Sequence, residues 1–255
     1  MTRGRLRLAL TASLLLSAAC VTPPPVTLAG LSPAASESWR QVGASRQGRP
    51  VRAMDLGTGG RKVAVIAGIH GSEQEGLRHV PELIDLLRGL PATVVLYEDV
   101  NPDGTAAARR ATSTGVDPNR NWPAANFSPA SGRGPRPLSE PGVAYVHRDL
   151  VRLEPDLVVV LHSTARGPFV NFDGPAEGHA QRFVDAAGPP WRVQPSMGYP
   201  TPGSLGSWMG VDLEVPILTV EFRRGAPASE TGPPLLRGLR DLILRGPADP
   251  APRVD

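Results

Sequence analysis

Val63-Ala64-Val65-Ile66-Ala67-Gly68-Ile69-His70-Gly71-Ser72-Glu73 is the stretch whose reading decides the fold. Its first seven residues are β-branched or small and wholly apolar, the pattern of a strand buried on both faces, which is typical of a parallel sheet. A histidine then emerges, followed three residues later by a carboxylate in the turn after the strand. That spacing lets both side chains grip one cation from a single turn, although in isolation such a pair is more often ordinary turn polarity.

Working outward, Trp39 to Leu56 reads as two short strands around the turn Ser45 to Pro50, with the Gly57-Thr58-Gly59-Gly60 turn feeding the strand Val63 to Ile69. Glu75 to Arg88 reads as a helix, because Leu77, Val80, Leu83, Ile84 and Leu87 share one face; His79 falls off that face and reads as solvated. Thr93 to Val100 is a further strand, followed by Asn101-Pro102-Asp103-Gly104. Residues 105–140 show no sustained period, which in a compact domain points to functional loops. Pro141 to Leu153 reads as a helix, Leu157 to Leu161 as a strand ending at His162, and Phe169 to Phe172 as a strand. Ala176 to Ala187 is a helix, Pro216 to Phe222 a strand and Leu235 to Arg245 a closing helix. His147 and His179 sit in helices without partners at ligand spacing, which leaves them surface or structural roles. Alternation of strands and helices gives an α/β class with three layers, α/β/α, around a central mixed, largely parallel sheet.

The 255 residues carry a formal charge of +3, and Lys62 is the only lysine. No basic run with interleaved aromatics occurs, so a nucleic-acid partner is unsupported. Met1 to Arg7 holds three arginines and Leu8 to Ala19 is a short apolar segment before Cys20, the single cysteine. This is the pattern of an export signal over 1–20, and Cys20 sits where a bacterial lipoprotein is processed. Ser17 stands where that site expects leucine, and Leu16 is one step early, so plain secretion is the alternative to an envelope lipid anchor. Residues 21–38 read as a flexible Pro-rich tether, 39–246 as one catalytic domain expected to be monomeric, and 247–255 as a disordered tail.

Four apolar strands end in polar residues: His70 with Glu73, Asn101 with Asp103, His162, and Glu221. Ligands of open α/β sheets bind at the carboxyl ends of strands, so these groups can share one crevice. Two histidines and a carboxylate leave a tetrahedral zinc with one open position. Glu221 then stands as a base toward water, whose pKa zinc lowers to about 7, and as the donor to a leaving amine; its bland reading is a salt bridge to Arg223 or Arg224. In the aperiodic middle, Arg120 with Asn119 can clamp a carboxylate, and Arg110 can meet an oxyanion. Arginines on a solvated loop are the alternative.

Together these residues resemble the zinc carboxypeptidases of the carboxypeptidase A type. The likeness rests on His70-Gly71-Ser72-Glu73, Asn101-Pro102-Asp103-Gly104 through Gly115-Val116-Asp117-Pro118-Asn119-Arg120-Asn121-Trp122, His162, and Thr219-Val220-Glu221, in that order. It implies one Zn2+ ion held by His70, Glu73 and His162, Glu221 as base, Arg110 on the oxyanion, and Asn119 with Arg120 on a substrate carboxylate. Gly43-x-Ser45-x-x-Gly48-Arg49-Pro50 and the run Tyr199 to Trp208 look most like the bacterial murein peptide amidase A group, which cuts the γ-D-glutamyl-meso-diaminopimelate bond of cell-wall peptides. Tyr199, 22 residues before Glu221, matches the family's substrate-facing tyrosine. Two departures stand out: Thr112 replaces an asparagine common in that group, and Arg109 adjoins Arg110, so the oxyanion arginine can be either. The rivals are an N-acyl amino acid deacylase resembling aspartoacylase or succinylglutamate desuccinylase, and a non-catalytic cell-wall-binding lipoprotein.

Overall fold

A computed structural model describes residues 38–247. The export segment with Cys20, nearly all of the tether and the tail beyond 247 lie outside the described residues. The chain begins with an antiparallel hairpin, β1 (Arg40–Ala44) and β2 (Pro50–Leu56), closed by the Ser45–Gly48 turn. The apolar run forms β3 (Lys62–Ile66), which ends three residues before the expected Ile69, because Gly68 takes a positive φ of 66° and bends the chain out of the sheet.

After His70 and Glu73, the expected single helix is two: α1 (Gln74–Leu77) and α2 (Val80–Arg88). Pro81 causes the break, since it cannot donate to the Leu77 carbonyl and its ring crowds that oxygen. His79 occupies the joint and is buried, not solvated; its Nε2 lies 2.7 Å from Thr231 Oγ1. Helical periodicity misplaced it because the break rotates its side chain inward.

Strand β4 (Thr93–Tyr97) leads to the short α3 (Pro102–Ala106), a 3₁₀ turn (Pro118–Arg120) and α4 (Pro141–Leu153). Strand β5 (Leu157–Thr164), β6 (Phe169–Asp173), α5 (Glu177–Ala187), a π-helical turn (Gly206–Asp212), β7 (Ile217–Arg223) and α6 (Ala228–Arg245) complete the described chain. Helix α6 starts seven residues before its expected first residue and runs through Pro233 and Pro234. Burial of Leu235, Leu239, Leu242 and Ile243, each worth about 1.5–3 kcal/mol, outweighs the lost backbone bonds near its N-terminal end.

The seven strands form one mixed sheet in the order β1-β2-β4-β3-β5-β7-β6. The inner strands β4, β3, β5 and β7 are mutually parallel, while β1, β2 and β6 join antiparallel at the edges. Two apolar layers cover it. Val63, Val65, Leu157, Val159 and Leu161 face α2, α5 and α6; Ala64, Ile66, Val158 and Val160 face α4 and the π-helical turn. The α/β/α layering follows from strands that are apolar on both faces.

Strand alternation aims the site. On β5, Val158 and Val160 belong to the second layer, so His162 continues that face; on β7, Ile217 does the same for Thr219 and Glu221. His162 is in register with Glu221, and Glu221 in turn with Phe169 of β6. Both His162 and Glu221 therefore sit inside their strands and not beyond the ends, because β5 and β7 run on as far as Thr164 and Arg223.

Candidate metal centre and active-site cleft

His70, Glu73 and His162 are all buried and present donor atoms within 4.8 Å of one another. One turn of backbone and one strand hold them. The Glu73 N–H donates to the His70 carbonyl at 3.0 Å, folding the carboxylate back toward the imidazole, and β5 delivers His162 from the adjacent parallel strand. Glu73 Oε2 lies 2.8 Å from His162 Nδ1 and accepts the Ser163 N–H at 3.1 Å. Its Oε1 is 3.0 Å from His70 Nδ1, yet Nδ1 makes no hydrogen bond, because the approach lies outside hydrogen-bonding geometry.

An orphaned imidazole nitrogen in a buried N/N/O donor set is what a zinc ligand looks like, so the residues fit the ion. Burial alone raises the Glu73 pKa, but the His162 hydrogen bond and the attraction of both nearby imidazoles, His162 and His70, outweigh it and hold the carboxyl well below its ordinary range. Glu73 is therefore an anionic donor at neutral pH.

The other nitrogen of His70 defines the next layer. Nε2 lies 3.0 Å from Asp117 Oδ1, which also accepts the Asn119 N–H at 2.8 Å and so caps the 3₁₀ turn. Asp117 Oδ2 accepts from Arg110 Nε at 3.1 Å. Burial pushes the Asp117 pKa up, but the His70 bond and nearby Arg110 and Arg120 pull it down further, and the net position is well below the usual carboxylate range. A carboxylate on the far nitrogen fixes the tautomer that leaves Nδ1 free for metal.

A cavity of about 220 Å³ opens beside these groups and is lined on one wall by Glu221, Thr219, Asn171 and Asp173. Glu221 is 6% exposed, its Oε2 has no hydrogen-bond partner among the described residues, and burial raises its pKa. It forms no salt bridge with its arginine neighbours: Arg223 pairs with Glu230 at 2.9 Å, and Arg224 Nη2 lies 3.5 Å from Glu73.

Arg110 donates through Nη1 to Glu73 Oε1 at 2.7 Å, so two of its three guanidinium nitrogens are engaged and Nη2 is left over. Arg109 instead lines a separate hollow with Arg49, Asp103 and Thr112. Thr112 Oγ1 is 2.9 Å from Thr114 Oγ1, away from the metal ligands. Asn119 Oδ1 accepts the Leu205 N–H at 3.0 Å, leaving Nδ2 toward His162 Nε2 at 3.4 Å. Arg120 lines the cavity, and desolvation lowers its pKa. Tyr199 is 48% exposed at the rim. Eight of the ten residues named for the crevice thus line one cavity; Asn101 and Asp103 do not, because Asn101 Oδ1 is taken up capping α3 by accepting the Gly104 N–H and Asp103 faces the separate hollow beside Arg49.

Several residues that organise the site have no signal in hydrophobic periodicity. Asn121 is fully buried and donates to the Arg133 and Arg136 carbonyls and to Ser139 Oγ, while accepting the Glu140 N–H. Through it the aperiodic loop is stapled around the Asn119–Arg120 turn. Asp103 accepts from Ser45, Arg49, Ser113 and the Gln47 N–H, tying the first hairpin to α3. Asp117 was legible only as a cap: Asp before Pro118 marks a helical start, but its bond to His70 spans 47 residues.

Residues 34–180 match the family model described as zinc carboxypeptidase, and the chain belongs to that family. It is accordingly a zinc-dependent hydrolase; the matched span contains the three metal donors, Arg110, Asp117, Asn119 and Arg120, with Tyr199 and Glu221 beyond it. Murein peptide amidase A of Escherichia coli strain K12 is 33% identical over 177 residues, covering 62% of this chain and 69% of that protein. The crystal structure of a murein-tripeptide amidase from Escherichia coli O157 superimposes with a TM-score of 0.67 at 28% identity, over 90% of this chain and 99% of that one. Thrombin-activatable fibrinolysis inhibitor shares the fold, with a TM-score of 0.67 at 18% identity over 81% of this chain and 70% of its own.

Proposed function

We propose that this protein hydrolyses the γ-D-glutamyl-meso-diaminopimelate bond of murein peptides. One observation carries the reading: the buried, unpartnered Glu221 Oε2 shares a cavity with the three metal donors and with Arg120. When bound, zinc polarises the scissile carbonyl and acidifies the attacking water. Asn119 and Arg120 hold the free carboxylate of the leaving residue, and Tyr199 covers it from the rim. Glu221 takes the proton of the attacking water and returns it to the departing amine. Arg110 offers its remaining nitrogen to the oxyanion.

Two features support a diaminopimelate leaving residue over a small acyl amino acid. Asp173 faces the cavity from β6 with no hydrogen bond or ion pair among the described residues, and burial raises its pKa. Such a carboxylate suits a substrate ammonium, which the side chain of meso-diaminopimelate carries. The similarity to the murein peptide amidases is the second support.

The charged start and apolar Leu8–Ala19 segment support export to the cell envelope, with Cys20 as lipid anchor, and a single copy of the site is complete within one chain.

Mass-spectrometric digestion of γ-D-glutamyl peptides ending in meso-diaminopimelate, lysine or alanine, alongside N-acetyl and N-succinyl amino acids, tests the activity. The diaminopimelate peptide is expected to be cleaved fastest, with activity abolished by a chelator. In the Glu221→Gln protein, kcat is expected to fall at least about 100-fold with zinc retained. Preferential turnover of the small acyl amino acids, or full activity of Glu221→Gln, overturns the assignment.

A further inference from the structure

Three guanidinium groups line the cavity: Arg110, Arg120 and Arg224. The proposed function employs the first two and leaves the third without a task. Arg224 follows β7 directly, three residues past Glu221, and its N–H donates to the Thr164 carbonyl at 2.9 Å. Its side chain folds back over the end of β5, where Nη2 donates to the Ser163 carbonyl at 3.1 Å. A main-chain and a side-chain bond to successive residues of β5 fix the guanidinium beside His162.

The charge of Arg224 is not consumed there. Among the described residues its one carboxylate contact is Glu73 Oε1 at 3.5 Å, an oxygen that already accepts from Arg110 at 2.7 Å and faces His70 at 3.0 Å. Half of the Arg224 side chain, 52%, remains exposed. Among the described residues its side-chain hydrogen bonds are with Glu73 and Ser163, and none is with the Asn119–Arg120 turn or the Tyr199 rim. If the Arg120 end holds the leaving residue, Arg224, held beside the metal donors Glu73 and His162 and not bonded to that turn, is left to meet the acyl part.

A γ-linked glutamyl residue forms the scissile amide through its side-chain carboxyl, so its own α-carboxylate stays free on the acyl side of that bond. An ordinary α-linked peptide has no anion there. A guanidinium answers such a group with two parallel hydrogen bonds. We propose that Arg224 binds the free α-carboxylate of the γ-glutamyl residue and thereby selects γ-linked over α-linked or amidated acyl groups. This rests on the proposed murein peptide reaction and names the residue that reads the acyl side of its substrate.

The test compares kcat/KM of the zinc-loaded full chain on L-Ala-γ-D-Glu-meso-diaminopimelate and on the same peptide with the glutamyl α-carboxylate amidated. Wild type is expected to prefer the free carboxylate by about 10–100-fold, the worth of a charged hydrogen-bond pair. In Arg224→Gln the ratio is expected to fall to within about threefold of one, with Arg224→Lys in between and zinc content unchanged. An equal loss on both peptides, loss of zinc from Arg224→Gln, or no preference in wild type overturns the role of Arg224 and leaves the reaction standing. Absence of turnover of either peptide by wild type overturns the reaction itself, and the role of Arg224 with it.

Discussion

Replacing Asp117 with asparagine removes one charge and almost no volume, and so isolates what holds the first metal donor in place. Asp117 Oδ1 accepts from His70 Nε2 at 3.0 Å and from the Asn119 N–H at 2.8 Å, while Oδ2 accepts from Arg110 Nε at 3.1 Å. An asparagine can keep its oxygen on the Asn119 N–H and the His70 ring, so the 3₁₀ turn should form. Its amide nitrogen, however, is then set against the Arg110 Nε donor, and the imidazole loses an anionic partner. Carboxylates on the far nitrogen of a ligand histidine are worth roughly 10–100-fold in metal affinity, or about 1.4–2.7 kcal/mol. The expected result is zinc binding weakened within that range in competition with a chromophoric chelator, with the unfolding midpoint of the metal-free protein nearly unchanged. An affinity within about twofold of wild type would refute the reasoning, since it would mean that His70 is oriented by packing alone.

Two further outcomes follow from the packing. In Gly71→Ala the added methyl would overlap the Gly104 carbonyl carbon and the Thr105 nitrogen, which are backbone atoms of α3 and cannot swing aside. A cost of about 1–3 kcal/mol or more in chemical denaturation is expected, with zinc affinity lost because His70 and Glu73 flank that glycine. His79, His147 and His179 all have pKa values lowered by burial from the ordinary 6.5. The unfolded chain then binds more protons than the folded one, so stability is full above about pH 6.5 and declines as the pH drops below it. Urea midpoints of the metal-free protein should fall with acidity, and less steeply in His79→Gln; parallel slopes for the two proteins would show that His79 does not contribute.

The layered fold was legible in the strands themselves. Val63 to Ile66 and Leu157 to Leu161 are apolar at every position, and only a sheet covered on both faces buries such strands. The helix Pro141–Leu153 was equally plain, because its period of apolar residues starts at a proline and runs unbroken. Where periodicity failed, a backbone constraint or a distant surface had intervened. Pro81 split the expected Glu75–Arg88 helix and turned His79 inward onto Thr231, 152 residues away. Conversely, burial of Leu235 and its helical neighbours carried α6 through two prolines that mark a helix boundary in the sequence.

The sequence by itself determined the set of groups: two imidazoles, a carboxylate three residues after the first, a second carboxylate on a later strand and paired arginines, in the order of the zinc carboxypeptidases. Local rules suffice for that, since His70 and Glu73 are joined by one turn and Asp117 caps the turn bearing Asn119 and Arg120. Only the tertiary structure decided which groups meet. Parallel register set His162 beside Glu221, strand alternation brought Asp173 and Asn171 onto the same wall, and Asp117 reached His70 across 47 residues. The arginine ambiguity was of the same kind: Arg109 and Arg110 are indistinguishable as neighbours in sequence, and the backbone between them sends one to Glu73 and the other to a separate hollow. Pairings of that sort depend on how distant segments pack, a property no single segment of the chain contains.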